Sequence, residues 1–420
     1  MTMVEARLVI GPGAATAQPD VTGARDDRAV VQGLRDVVVH GTHRVERLRG
    51  AAAVVAAVGE ARASGGLATG FQTEAWYAPF FSGVAPHAGA EPNLVRVTSA
   101  QTGALVMALP LVVRRHAGLV IAEFADLGLS DYCVPLLGPA APVGAAACRT
   151  LVDLACATLD DVDLLRLEKM PGDVDHVVNA LAMHPAVSQS RFAGNRLVIA
   201  TTVAEFVASR GKKYRKEAER SQRRLADMGK VSFARAATME EIDRSYRLLE
   251  SWQSARHLEA GHDYWLDRPE VSQFYRDVLI AGLENGQAGL FTLHVDGAPV
   301  AVLLGVTHRT TFTLLRIADA GEAWRHCSPG RLVVLETMRY LVEHGVRTFD
   351  MGIGDYPFKR WIGCTPYNLY DLELALRWKA RPKVWLDSLK RALRRNQTVL
   401  AFARRIKGLF GERPQPYPLD

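Results

Sequence analysis

Cysteine is scarce in this chain and shows no pairing pattern. Five cysteines (Cys133, Cys148, Cys156, Cys327, Cys364) are spread over 420 residues, none in a CxxC pair. That excludes a zinc site of the usual spacing, leaves no metal centre expected, and reads as reduced thiols of a cytoplasmic protein. Long hydrophobic runs are missing too. No stretch of about 18 apolar residues is free of charge, so no membrane-spanning helix is expected. The start, MTMVEARLVIGPG, has no basic segment followed by an apolar one and does not read as a secretory signal. A GxSxG elbow, a Walker loop, an HExxH pair and a Ser–His–Asp arrangement are all absent. Hydrolase, NTPase and zinc-protease chemistry therefore have no support.

What remains is ordinary globular material with uneven charge. Hydrophobic residues make up 48% and charged residues 23%, and at 420 residues the chain is long enough for two or three domains with cores of their own. Residues 1–200 carry 16 basic and 19 acidic side chains, whereas residues 201–420 carry 35 and 26. From Arg377 to Asp420 there are 12 basic and 3 acidic residues. The tail thus accounts for the positive excess. It points to an anionic surface, lipid or RNA, rather than to a nucleic-acid-binding domain.

Residues 1–36, rich in Gly, Ala, Asp and Arg without periodicity, are expected to form a flexible leader. In the first half, strands are read near Val37 and at Leu94–Val97, Leu105–Val113, Leu119–Phe124 and Val162–Leu167. Helices are read at Ala51–Ala63, Glu74–Phe81 and Val143–Leu159. Pro110 demotes its strand to an edge or a bulge. The second half opens with a strand at Arg196–Ala200. A helix at Glu205–Leu225, a strand at Val231–Arg235 and helices at Glu240–His257 and Pro269–Leu283 follow. Strands at Gly289–Val295, Val300–Val306 and Thr310–Ile317, with Asp296–Gly297 as a hairpin turn, make an antiparallel meander. A helix from Ser328, a strand at Val346–Met351 and a last strand at Tyr370–Trp378 complete the unit. Both halves run helices, antiparallel strands, then helix–strand. This predicts two similarly folded mixed α/β domains, 37–195 and 196–380. In 381–420, apolar residues at 385/386, 389, 393, 400, 403, 406 and 410 alternate with basic ones. The spacing predicts a basic amphipathic helix, broken near Asn396.

Candidate chemistry concentrates between Ser328 and Gly363. Ser328 can cap a helix with Pro329 in its first turn. Gly330, Arg331 and Leu332 then offer N–H groups and the helix dipole to an anion, although capping alone explains the same residues. The segment GIGDYPFKRW that follows reads as a glycine-broken loop. Asp355 there either accepts a proton or caps the loop. Tyr356, Phe358 and Trp361 read as core or pocket walls. His257, near a helix C-terminus, is either dipole-stabilised or a general base. The run Lys212–Arg224, with seven basic and two acidic residues, is a solvated helix face or a polyanion site.

Several of these pieces resemble the GNAT superfamily, in its CelD-like branch linked to exopolysaccharide synthesis and related to Fem-type aminoacyl transferases. They are YRKEAERSQRRLADMG, WQSARHLEAG, FYRDVL, LFTLHVDGAPVAVLLG, the SPG helix start and FDMGIGDYPFKRWIG, covering residues 212–361. ALPLVVRR and the Gly128–Asp131–Tyr132 loop resemble the leading domain of such proteins. The resemblance implies tandem GNAT-like folds and acyl transfer from acetyl-CoA or another acyl-CoA to an amine or hydroxyl of a small molecule or saccharide precursor. It implies carrier phosphates at Ser328, Gly330, Arg331 and Leu332, where RHCSPG departs from the family's Q/RxxGxG/A loop. It places Lys359 against negative charge at the transfer site, with Asp355 or His257 moving the proton. Trp252, Arg256, Tyr356 and Trp361 become pocket residues, and Asp131 and Tyr132 orient the acceptor. Two alternatives stand beside this: Fem-like transfer from aminoacyl-tRNA, the one case in which a nucleic acid is expected, and a non-catalytic partner in polysaccharide assembly. In each, residues 384–410 are expected to meet an anionic membrane surface, placing the protein at the inner face of the membrane.

Overall fold

The structure, a computed structural model, describes residues 35–199, 202–259, 261, 264–354 and 356–395. The first half runs β1 (Arg35–His40), β2 (His43–Arg49), α1 (Ala51–Ala63), α2 (Glu74–Pro79), α3 (Ala85–His87), β3 (Glu91–Ser99), β4 (Leu105–His116), β5 (Leu119–Phe124), β6 (Leu136–Leu137), α4 (Ala145–Ala157), β7 (Leu164–Pro171), β8 (Asp173–Val174), β9 (Val177–Val178) and β10 (Val187–Val198). The second runs α5 (Val203–Ser209), α6 (Lys212–Asp227), β11 (Val231–Arg235), α7 (Met239–Glu259), α8 (Pro269–Gly282), β12 (Ala288–Val295), β13 (Ala298–His308), β14 (Thr311–Asp319), α9 (Pro329–Glu343), β15 (Thr348–Asp350), α10 (Pro357–Ile362), β16 (Thr365–Ala375) and α11 (Arg381–Arg395).

One long sheet joins the halves in the order β1-β2-β3-β4-β5-β7-β16-β10-β15-β14-β13-β12-β11. Apart from β1, the order reads alike from either end. In the first half β2 to β5 are antiparallel neighbours, α4 crosses over, and β7 returns parallel to β5. In the second, β11 to β14 are antiparallel, α9 crosses over, and β15 returns parallel to β14. The mixed α/β repeat expected from the sequence is therefore present. The closing strands then change sides. β10, which follows β7, pairs with β15, and β16, which follows β15, pairs with β7. β10 and β16 pair with each other at the centre.

Side-chain alternation on these strands sends apolar residues to both faces, and helices cover each face. α1, α2, α7 and α8 share one core across the halves. At its centre Trp76 packs edge-on against Phe274 of the other half, with ring centroids 4.9 Å apart. α4 covers the opposite face of the first half, and α5, α6 and α9 that of the second.

Four local differences from the sequence reading have plain causes. Pro110 lies inside the sheet, in β4 and opposite Leu94 of β3, and not at an edge. Its partner on the other side changes there from β5 (Leu111↔Phe124) to β6 (Ala108↔Leu136), so a missing N–H falls in a gap in the ladder. β2 was hidden by its charges: Arg47 is buried and donates to Asn93 at 2.9 Å and to Asp161 at 2.5 Å. β10 begins nine residues before the expected Arg196, because a register shift between Gln189 and Ala193 breaks its pattern. GIGDYPFKRW is not all loop, since Pro357 opens the short helix α10 and Gly363, at φ +90°, ends it. Residues 1–34, which hold nearly all of the expected leader, and the expected break at Asn396 lie outside the described residues.

Candidate active site

β14 and β15 pair in parallel for only three residues, Thr311 to Thr313 against Thr348 to Asp350, and then part. The chain leaves β15 through Met351–Gly354, and this turn is held from both halves. Gly352 has φ +73°, and a Cβ there would lie 2.1 Å from the Asp131 carboxylate and 3.3 Å from Leu314 O. Only glycine suits that position. Asp131 comes from the first half, in the irregular segment between β5 and β6, and accepts from Ile353 N at 3.3 Å. Asn195 donates from β10 to Gly352 O at 3.0 Å and Gly354 O at 2.8 Å. Lys359, 3% exposed, donates from α10 to Gly352 O at 3.1 Å and Ile353 O at 2.7 Å.

Asp350 anchors the turn. It is fully buried and accepts from Tyr132 OH at 2.5 Å, Tyr367 OH at 2.9 Å and Gly352 N at 2.8 Å. Arg196 stands 3.9 Å from it, its guanidinium 4.4 Å from the Tyr367 ring centroid. Burial pushes the Asp350 carboxyl up, against three hydrogen bonds that favour its charge. Asp131 is pushed up to about 6, chiefly by burial; Lys359 and Lys169 pull it down and Asp350 raises it further. Tyr132, Tyr367, Asp350, Arg196, His308 and Thr313 also line a cavity of about 40 Å³ on this face of the sheet. That is room for water.

A second polar cluster was not foreseen. Arg316 of β14, 2% exposed, donates to Gln253 Oε1 at 2.7 Å and Tyr246 OH at 2.9 Å, with Glu250 3.8 Å away. The rings of Tyr246, Tyr264 and Tyr275 surround it at 5.4–5.7 Å. Its Nη2 finds no hydrogen-bond partner among the described residues. His257 stacks on Tyr264 with centroids 4.0 Å apart. Tyr275 OH donates to Leu129 O at 3.3 Å, tying this cage to the Asp131 segment. The available signal was a single arginine inside the apolar strand TFTLLRIAD.

The start of α9 differs from expectation. Ser328 has φ +52° and makes no side-chain cap. The N–H groups of Arg331 and Leu332 both turn to Ser328 O, at 3.0 and 3.3 Å, so they do not face outward as a cradle. Asp319 adds a carboxylate 3.1 Å from where a Cβ on Gly330 would sit. Positive side chains gather at this start. Arg331 is held by Glu217 at 3.2 Å and lies over the Trp361 ring at 4.2 Å, and Arg224 donates to His326 O at 3.0 Å.

The expected residues thus fall into three groups. Asp131, Tyr132, Tyr356 and Lys359 meet around Met351–Gly354. His257 lies at the Arg316 cage; Trp252, half-buried, belongs to the core beside it, and Arg256 is exposed. Trp361 joins Ser328, Gly330, Arg331 and Leu332 on the opposite face of the sheet, packed on Tyr214 at 4.5 Å. Asp355 lies outside the described residues. No group of three or more His, Cys, Asp or Glu able to hold a metal ion occurs among the described residues.

Residues 212–360 match the family model described as an acetyltransferase (GNAT) domain. This segment, within the second half, is similar to a GNAT domain. Among solved structures, the chain is similar to FemX: 13% identity over 73% of this chain and 92% of that one, TM-score 0.49. It is also similar to L-PGS from Bacillus licheniformis (12%, 82% and 96%, TM-score 0.47). A third is a tandem GNAT protein from the clavulanic acid biosynthesis pathway (14%, 79% and 99%, TM-score 0.42). No curated protein matches the chain. The matched segment runs from the first residue of α6 to α10, and so includes β14, α9, β15 and Lys359.

Proposed function

We propose that the protein is an acyltransferase that moves an acetyl or other acyl group from acyl-CoA to an amine or hydroxyl of a small-molecule or saccharide precursor, in exopolysaccharide or cell-envelope synthesis. The observation that carries this reading is the turn after β15. Inside the GNAT-like segment, where two parallel strands part, a lysine and two carboxylates from both halves converge on one glycine turn. The thioester supplies an activated carbonyl, and the protein's task is to orient the acceptor and take its proton. Asp131 is suited to the second task. It is part-exposed, and at neutral pH most of it is ionised and ready to accept. Asp355 and His257 are the alternative proton acceptors. Lys359 fixes the turn through two carbonyls and places positive charge beside it, where developing negative charge is offset. Tyr132 and Tyr367 hold Asp350, which orients rather than reacts. Arg331 and Arg224 are the cations available to the carrier phosphates. Trp252, Arg256, Tyr356 and Trp361 are proposed walls of the pocket.

The test is a thermal-shift screen of acyl-CoA thioesters, followed by mass spectrometry of acceptor mixtures. Saturable stabilisation and acylated product support the reading; stabilisation by no thioester contradicts it.

One observation favours a second reading. The N–H groups at α9 face inward, while α6 packs beside that start and keeps its basic face exposed. Such a surface suits a donor carried on RNA, as in aminoacyl-tRNA-dependent transfer. Binding of charged tRNA that acetyl-CoA does not displace would favour it.

A further inference from the structure

α11 docks on the protein by one side only. Val384 packs against the small cluster of Ile121, Leu164 and Ala380, and Arg391 reaches Glu373 at 2.6 Å. Trp385, Leu386, Leu389 and Leu393 share an arc of roughly 100° at helical spacing, turned away from Val384. All four are exposed, Trp385 by 65%, and Trp378 just before the helix by 73%. Lys383 and Lys390 follow on the rim of that arc. The nearby acid Asp387 is occupied by both, at 2.6 and 3.4 Å. Between Arg377 and Arg395 the chain has eight basic residues and one acidic. A contiguous stripe of large apolar side chains in water marks a surface made to be covered.

We propose that this face of α11 lies in the surface of an anionic lipid bilayer, with the two tryptophans and three leucines at the acyl boundary and the basic rim among the head groups. Charge decides between occupants. A second copy of the same face would bring two strongly basic strips together, whereas an anionic head-group layer complements them. Tryptophan beside leucine with a basic rim is the composition of helices that lie in an interface and do not span it. No helix among the described residues is long and apolar enough to cross a membrane. The inference is independent of the proposed chemistry.

The experiment is co-sedimentation of the full chain with vesicles of phosphatidylcholine alone and of phosphatidylcholine with 30% phosphatidylglycerol (about a third anionic, chosen to attract basic residues). The expected result is binding to the anionic vesicles at least about tenfold tighter than to neutral ones and weakened by salt, as screening requires. Trp385→Glu with Leu389→Glu should reduce it to the neutral level at unchanged melting temperature. Three results overturn the proposal: equal or no binding to both vesicles, binding that the double variant leaves intact, or a concentration-dependent dimer that the double variant abolishes.

Discussion

The proposed chemistry rests most heavily on one side chain, Asp131. Its folded pKa of about 6 lies above the ordinary 3.8. As a proton acceptor it gives a rate that rises through about pH 6. Asp131→Asn should lower kcat by about 10²–10⁴-fold and remove that limb from the pH–rate profile. A loss equal at all pH values would assign the residue to turn structure instead. The sign for stability follows from the same shift. A raised folded pKa means the folded state holds the proton more tightly, so the contribution of Asp131 to stability is greatest below about pH 4 and is lost as pH rises through about 6. Asp131→Asn therefore gains on the wild type across that window, read from urea midpoints at pH 4 and pH 8. Gly352→Ala is the second test at this scale. Its positive φ and the Asp131 carboxylate leave no room for a methyl group. A cost of about 1–3 kcal/mol is expected from the crowding, with the Asp131–Ile353 contact broken. An unchanged denaturation midpoint would contradict that geometry.

At the scale of elements, the turn Met351–Gly354 works because β15, α10, β10 and the Asp131 segment each fix part of it. Tyr132→Phe removes one of three hydrogen bonds to the buried Asp350. A loss of about 1–3 kcal/mol is expected from leaving that acceptor short, measurable by chemical denaturation; no loss would mean the phenol does not serve Asp350. Elements with local signals were legible in the chain. α1 occupies Ala51–Ala63 as its pattern indicates, the β12–β13–β14 meander follows from its Asp-Gly turn, and α9 from its apolar spacing. Elements whose residues answer to distant partners were not. β2 carries buried charge satisfied by Asp161 more than a hundred residues away, α10 is too short to show a period, and the partners of Arg316 come from α7, more than sixty residues earlier in the chain. Lys359 shows the same limit. Its type and place come from the family resemblance, but its bonds to two turn carbonyls need the folded loop.

For the whole molecule, the exchange of β10 and β16 makes each half depend on the other. Strand exchange leaves no trace in local periodicity, so the sequence shows two similarly folded halves but not the pairing of β10 with β15 and β16 with β7. The structure predicts one cooperative unfolding transition for the described body. Trp76→Ala, at the core shared by α2 and α8, should cost about 3–5 kcal/mol and lower the midpoint of that single transition. Two resolved transitions, with only one shifted, would contradict the shared core. The central claim is acyl transfer at the turn built by both halves, and pre-steady-state mass spectrometry with acyl-CoA and an amine or hydroxyl acceptor tests it most directly. The account predicts acylated acceptor from the wild type and a pH-dependent loss in Asp131→Asn. Product formed equally by the two proteins, or no acyl transfer from any thioester or charged tRNA, would contradict it.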